Sequence, residues 1–417
     1  MAGAPVVVVG ASLAGLRAAE AMRAAGHEGE VVVIGAERHP PYTRPPLSKQ
    51  LLAGEQAADA CAFKLDRADV TWRLGTAASG LDPQRRRVRL ADGEEVAYSR
   101  LLIATGSRAR PWPDERAAAM SGVFTLRHLD DAVALRQAFE AGPRVAIIGA
   151  GFIGCEVAAT ARKLGLAVTL IELADQAMPG LGPELGEPFA RLHREHGVDL
   201  RLATRVDALI GGSAVEGVRL EDGTVVDADV VLVALGAVPN TEWLRDSGLQ
   251  LQPGVVCDAT LAAVGVQDVF CAGDIAAWPH PLAGGEVVRI EHWTVAAEQG
   301  TAAGRNLVAA PAERRPFESA PYFWSDQYDV KLQSVGFPAR ATRTRIAERT
   351  PDGARWVAVG DRDGTLVAAV GCNAARRMPF YRLQLAEQPA VEDVLAALAA
   401  DDRALGSTVT VSPSSPG

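Results

Sequence analysis

Two glycine loops carry the residue types and spacing best suited to chemistry. The first runs Gly10, Ala11, Ser12, Leu13, Ala14, Gly15, and the second Gly149, Ala150, Gly151, Phe152, Ile153, Gly154. Each follows an apolar run and opens an alanine-rich stretch of helical period. Such a turn presents backbone N–H groups and the positive end of a helix to a pyrophosphate. Gly10 makes the tight turn and Gly15 lets helix and strand pack closely, while Ser12 stands where a second glycine is usual. A carboxylate follows each loop: Glu37, 27 residues after Gly10, and Glu172, 23 residues after Gly149. At the end of the next strand, such a carboxylate can accept a ribose 2′-OH. No Arg or Lys occurs between Leu173 and Ala190 to meet a 2′-phosphate, so the second site reads as NAD rather than NADP. A solvated strand-end charge is the alternative for Glu172.

The elements that must position these loops repeat. PVVVVGASLAGLRAAEAMRAAGHEGEVVVIGAE (5–37) and RVAIIGAGFIGCEVAATARKLGLAVTLIE (144–172) each read as strand, glycine turn, amphipathic helix and strand. That is a βαβ unit of a buried parallel sheet. Each is followed by a hairpin and a closing strand: VRLADGEEVAYSRLLIATGSRARP (88–111), stopping at Thr105-Gly106, and VEGVRLEDGTVVDADVVLVALGAVPN (215–240), ending at Gly236. Gly236 is counted with the NAD-binding residues. A short buried strand then leads into Gly273-Asp274, and 289–308 reads as a helix. Residues 309–317 mark a boundary, 321–387 alternate strand-like patterns with turns, and 391–400 form a closing helix. The class is α/β: two Rossmann-like dinucleotide-binding domains, for FAD and NAD, plus a C-terminal α+β domain. The expected boundaries are 1–108 with 239–316 for a discontinuous FAD domain, 109–238 for the NAD domain and 317–405 for the C-terminal domain. The small polar tail 406–417 is expected to be disordered.

Composition excludes other classes. Lys and Arg number 42 against 51 Asp and Glu, a net charge of −9 with a pI near 5.4. A nucleic-acid binder should be basic. No apolar run approaches the ~20 residues of a spanning helix, and VVLVALG (230–236) is strand-sized. The N-terminus has no basic region ahead of its glycine motif, so no cleaved signal is expected and the protein is read as cytoplasmic. Cys61, Cys155, Cys257, Cys271 and Cys372 lie more than five residues apart, which leaves no CxxC or CxxxxC couple and no zinc-type pair. Two dinucleotide sites without a cysteine couple or metal cluster point to a flavin beside a nicotinamide.

The first glycine loop, RPPLSK (44–49), ATG (104–106), the GxGxxGxE segment (149–156), AGD (272–274), RIEHW (289–293) and FWSDQY (323–328) follow one another in a familiar order. The chain resembles the FAD-dependent ferredoxin reductases, the family of putidaredoxin reductase and of the reductase components of aromatic-ring dioxygenases, within the glutathione-reductase-like flavoproteins. The likeness runs from residue 5 to about 400. Where disulfide reductases carry CxxxxC, this chain has YTRPPLSK (42–49). Ser12 and an arginine-rich stretch at 340–349 are its departures from the pattern.

The resemblance implies a role for each matching position. FAD is held non-covalently by Gly10 to Gly15, Glu37, Arg44, Lys49, the backbone near Ala78, and Arg127. Asp274 binds the ribityl chain and Trp293 lies at the pyrimidine side of the flavin. Lys49 and Glu156 pair near the flavin N5, where a positive charge favours the reduced, anionic flavin. Trp324 lies beside the flavin on the partner-facing side. Read without the family, Lys49 and Glu156 are unrelated surface charges, Arg127 a surface arginine at a helix start, and Trp324 a core strand residue.

The implied activity is electron transfer from NADH through FAD to an iron–sulfur ferredoxin serving a cytochrome P450 or ring-hydroxylating oxygenase. Residues 314–385 hold twelve Lys/Arg and seven Asp/Glu, a local +5 in an acidic chain. An acidic ferredoxin would be steered by such a face, so Arg343 and Arg345, with Trp324, are candidate docking residues. The alternatives are an NADH oxidase or peroxidase of the same fold and a non-catalytic NADH sensor. The peroxidase type uses a Cys facing the flavin from the stretch equivalent to 40–50, which here has none.

Overall fold

Valine runs with no helical period pair side by side at the start of the chain. Val6–Val9 lies parallel to Val31–Gly35 and to Arg100–Ile103. With Thr71–Leu74 and Val269–Cys271 they form a five-stranded parallel sheet in the order 269–271, 100–103, 6–9, 31–35, 71–74. Every residue of Val6–Val9 and Val31–Gly35 is buried. The computed structural model describes residues 3–65, 69–399 and 404–405. The expected disordered tail, 406–417, lies outside the described residues.

Two compact units are present, one of residues 1–111, 125–137 and 235–319, the other of 112–124, 138–234 and 320–417. In the first, the helix Leu13–Ala24 packs along the helix Trp293–Val308. Glycine makes that approach possible. A Cβ on Gly300 would stand 2.4 Å from the Ala14 carbonyl oxygen, and one on Gly304 2.4 Å from that of Ala18. The expected hairpin is a three-stranded antiparallel sheet of Ala78–Asp82, Arg87–Leu90 and Glu95–Ala97. The helix expected over 289–308 begins at Trp293, because Val287–Arg289 pairs with Ala276–Pro279 as a strand.

The second unit repeats the design. Its parallel sheet runs Asp199–Arg201, Val168–Ile171, Val145–Ile148, Val230–Val233, Val123–Phe124. The helix Phe152–Lys163 follows the glycine loop. A five-stranded antiparallel sheet comes next in the chain, ordered Tyr322–Gln327, Val330–Gly336, Thr365–Cys372, Trp356–Arg362, Arg343–Arg349. The strand-like reading of 321–387 is corrected at its end, where Met378–Glu387 is an α-helix. Met378, Tyr381 and Leu385 are its buried residues, a spacing of three and four that fits a helix and not a strand. The closing helix is Val391–Ala399. The α/β class, with two parallel-sheet folds and a C-terminal α+β part, is the one observed. Among the described residues no helix is long and apolar enough to cross a membrane.

Candidate functional site

Each glycine loop divides its glycines between two duties. Gly10 has φ +128°, and a Cβ there would lie 2.1 Å from the Ala104 carbonyl oxygen. On Gly15 it would lie 2.0 Å from the Gly10 carbonyl oxygen, and on Gly154 1.9 Å from that of Gly149. Those glycines are demanded by the fold. Gly151 is different, since its φ is −72° and a Cβ on it would meet nothing within 4 Å. Neither backbone angle nor packing requires glycine there, and the open space at the helix N-terminus leaves room for a ligand to approach the backbone. Gly106 and Gly236 likewise border open space, at φ +62° and +83°. Ser12, the departure from the glycine pattern, has φ −126°, ordinary for any residue, and makes no side-chain cap of its own helix. Leu13 and Ala14 follow it as the first helical residues.

A connected polar strip runs through the first unit. Glu37 accepts hydrogen bonds from Arg44 Nη2 at 2.7 Å and from the Tyr42 hydroxyl, and His128 Nδ1 lies 3.2 Å away. Burial alone would raise the Glu37 carboxyl. The His128 and Tyr42 hydrogen bonds and the Arg44 charge outweigh it and hold the group well below the usual carboxylate range. Arg44 Nη1 reaches on to the Arg127 carbonyl oxygen at 2.6 Å. Arg127 in turn donates from Nη2 to Asp274 Oδ2 at 2.6 Å and from Nε to the Ser107 carbonyl oxygen at 3.0 Å. The Ser107 hydroxyl donates to the same Asp274 oxygen at 2.8 Å. Asp274 is only 7% exposed, at the turn after Gly273, whose N–H is taken by the buried Gln299 side chain at 2.8 Å. The reading of Arg127 as a plain surface arginine is therefore overturned. Sequence reasoning does not single out Tyr42, His128, Ser107 or Gln299, although Tyr42 opens the 42–49 segment and Ser107 directly follows ATG (104–106).

Lys49 follows the 3₁₀ turn Pro45–Ser48, half-buried, with its ammonium donating to Ser48 Oγ at 3.2 Å. Ala78 opens a strand and Trp293 opens the long helix, both half-buried. All five cysteines are free and buried. Cys61 lies close to the 42–49 segment, since its carbonyl accepts the Thr43 N–H. Burial first and the Asp59 charge second push its thiol upward, away from a reactive thiolate.

In the second unit Glu172 accepts the N–H groups of Ala150, inside the glycine loop, at 2.7 Å and of Ala174 at 2.8 Å. Its carboxylate is thus aimed at the loop. Glu156 lies on the helix after the loop, 3% exposed, and accepts the Ser325 hydroxyl at 2.8 Å. A surface-charge reading fails for it. Ser325 adjoins Trp324, which is half-buried on the edge strand Tyr322–Gln327 and stacks with Tyr322 at 6.1 Å.

The docking group expected from Trp324, Arg343 and Arg345 is not brought together. Arg343 and Arg345 lie on Arg343–Arg349, the opposite edge of the five-stranded sheet. Four strand spacings separate the edges, about 19 Å. Arg343 is exposed, but Arg345 is 12% exposed and engaged by Glu392 at 2.7 Å and Asp361 at 3.8 Å. The basic excess over 314–385 reads as one patch, and the strand order separates Trp324 from its arginines.

The pattern of the pyridine nucleotide-disulphide oxidoreductases matches residues 4–300, and that of the reductase C-terminal domain residues 322–407. The chain belongs to the pyridine nucleotide-disulphide oxidoreductase family. It is an FAD-dependent oxidoreductase that uses NADH. Among its relatives is the ferredoxin–NAD(+) reductase component of the anthranilate 1,2-dioxygenase system of Burkholderia cepacia, 39% identical across 93% of this chain and 95% of that protein. The corresponding component of the biphenyl dioxygenase system of Paraburkholderia xenovorans is 36% identical across 89% and 90%. The crystal structure of the covalent putidaredoxin reductase–putidaredoxin complex superposes with a TM-score of 0.88 at 31% identity, covering 95% of this chain and 96% of that one. The residues present fit both cofactors of this oxidoreductase. The open cradle at Gly151 and the buried Asp274 carboxylate are what a dinucleotide and a ribityl hydroxyl need.

Proposed function

We propose that this flavoprotein carries electrons from NADH, through FAD, to an acidic iron–sulfur ferredoxin that serves a cytochrome P450 or ring-hydroxylating oxygenase in the cytoplasm. The observation that carries this reading is the 42–49 segment. The family's usual cysteine couple is replaced there by a proline-rich 3₁₀ turn and Lys49, so no protein sulfur stands ready to take electrons onward. The relatives named for dioxygenase systems, and the one seen in covalent complex with putidaredoxin, support a protein acceptor. The three-part division into 1–108 with 239–316, 109–238 and 317–405 belongs to the same reading.

When bound, the flavin accepts a hydride from NADH and can release electrons one at a time. The chain's residues supply the rest. Gly10 to Gly15, Glu37, Arg44, Ala78, Arg127, Asp274 and Trp293 would hold FAD. Gly149 to Gly154, Glu172 and Gly236 would hold NADH. Lys49 serves the flavin as a fixed positive charge, and Glu156 serves the nicotinamide as a fixed negative one. Trp324 marks the edge presented to the acceptor. A peroxidase reading is disfavoured by Cys61, the thiol adjoining the segment, which is 1% exposed and held as a thiol.

The test is anaerobic. The purified protein should be yellow, release FAD on denaturation, and be bleached by NADH faster than by NADPH. Cytochrome c reduction should then require an added acidic ferredoxin. Rapid turnover with oxygen or peroxide alone would overturn the proposal.

A further inference from the structure

Four hydrogen bonds behind Glu156 form a buried chain with one direction. Ser325 Oγ donates to Glu156 Oε1 at 2.8 Å. Gln327 Nε2 lies 3.1 Å from Ser325 Oγ, and Gln327 Oε1 lies 3.0 Å from His193 Nε2. His193 Nδ1 lies 3.1 Å from the Tyr328 hydroxyl. Glu156, Ser325, Gln327 and His193 are each 3% exposed or less.

The polarity follows from the end groups. The Ser325 proton is committed to the carboxylate, so its oxygen accepts from the Gln327 amide. The amide oxygen must then accept from His193 Nε2–H. Burial keeps His193 neutral, lowering it to about 4, so its Nδ1 is an acceptor and takes the Tyr328 proton. Every donor points toward Glu156. The outer end is built as well: Tyr328 occupies the turn after Tyr322–Gln327 with φ +56° and stacks on His196 at 3.7 Å. A bulky residue in the left-handed region is uncommon, and here its ring closes the chain.

We propose that Ser325, Gln327 and His193 are positioning residues, which hold the Glu156 carboxylate in one orientation for its work beside the nicotinamide. This rests on the reading of Glu156 given above. The amide in the middle makes the chain a rigid support and not a proton wire. It also ties the helix after the NAD loop to the first strand of the C-terminal sheet, so the two parts of the second unit share one polar core.

The experiment compares holoprotein variants by stopped flow and by infrared spectroscopy. The carboxylate stretch of Glu156, assigned as the band lost in Glu156→Gln, should shift in Ser325→Ala, shift less in Gln327→Met, and return in Ser325→Thr. The limiting rate of flavin reduction by NADH should fall roughly tenfold in Ser325→Ala, the worth of one charge-assisted hydrogen bond. The NADH dissociation constant and FAD content should stay within twofold. Adding Ser325→Ala to Glu156→Gln should cost nothing further, since the chain acts through that carboxylate. If Ser325→Ala does not fold, Gln327→Met is read on the same two measures. An unmoved Glu156 band, or an additive double variant, would overturn the proposal. Normal reduction by Glu156→Gln alone would instead sink the reading of Glu156 on which it rests.

Discussion

Arg127 and Asp274 are 147 positions apart in the chain, yet the guanidinium donates to the carboxylate at 2.6 Å. Asp274 is 7% exposed, so the pair is one charge in the core answered by another. Arg127 also holds the Ser107 carbonyl oxygen, and its own carbonyl oxygen is held by Arg44. The strip therefore ties Glu37, Arg44, Arg127 and Asp274 into one network within the first unit.

Removing Arg127 leaves a buried carboxylate with Ser107 alone. Arg127→Ala should lower stability by about 3 kcal/mol, because the unpaired charge costs more than the pair contributes. Urea denaturation of the apoprotein measures this, and flavin retention through gel filtration should fall in parallel. Wild-type values on both counts would remove the pair from the site.

Glu37 makes stability depend on acid. Its folded-state value is depressed, so its contribution is complete above the usual glutamate range and is lost as pH falls through that range toward the folded value. Glu37→Gln should cost about 1–2 kcal/mol at pH 7. The deficit should shrink steadily below pH ~4.3. Denaturation midpoints of both proteins across that window are the check, and a deficit independent of pH would contradict the assignment.

Lys49 brings a half-buried ammonium to the end of the 42–49 segment, held by Ser48 Oγ at 3.2 Å. Lys49→Met should slow anaerobic flavin reduction by NADH by roughly tenfold to a hundredfold, the range for one charged hydrogen bond. FAD should remain bound. An unchanged stopped-flow rate would return Lys49 to the role of a solvated charge.

Opposite sheet edges separate the two kinds of docking residue. Trp324→Ala should lower ferredoxin-coupled turnover about tenfold, as loss of an aromatic anchor does. NADH–ferricyanide activity should persist, because a small oxidant needs no docking surface. Arg343→Glu should change coupled turnover less than twofold at ~0.15 M salt, where charges about 19 Å away are screened, and several-fold at ~0.01 M. Equal effects at both ionic strengths would place Arg343 in the contact itself. Arg345→Glu should instead destabilise the C-terminal sheet, since it would set a carboxylate beside Asp361 and Glu392.

Local rules carried much of this protein. A glycine turn between a valine strand and an alanine-rich helix is dictated over a dozen residues, so both loops, Glu37, Glu172 and the parallel sheets were legible in order and type. Asp274 was legible too, because a buried strand ending in glycine announces the turn that holds it. Two such loops without a cysteine couple already pointed to a flavin, and the motif order from RPPLSK to FWSDQY added the protein acceptor. The helix Met378–Glu387 is written in the spacing of Met378, Tyr381 and Leu385, but its strand-like neighbours mask it. What no local rule contains is which distant groups meet. Arg127 finds Asp274, Ser325 finds Glu156, and His193 closes the chain behind it only because buried polar groups must be paired once the core forms around them. Arg343 and Trp324, 19 positions apart in sequence, are parted because strand order, set by which edges pair, overrides distance along the chain.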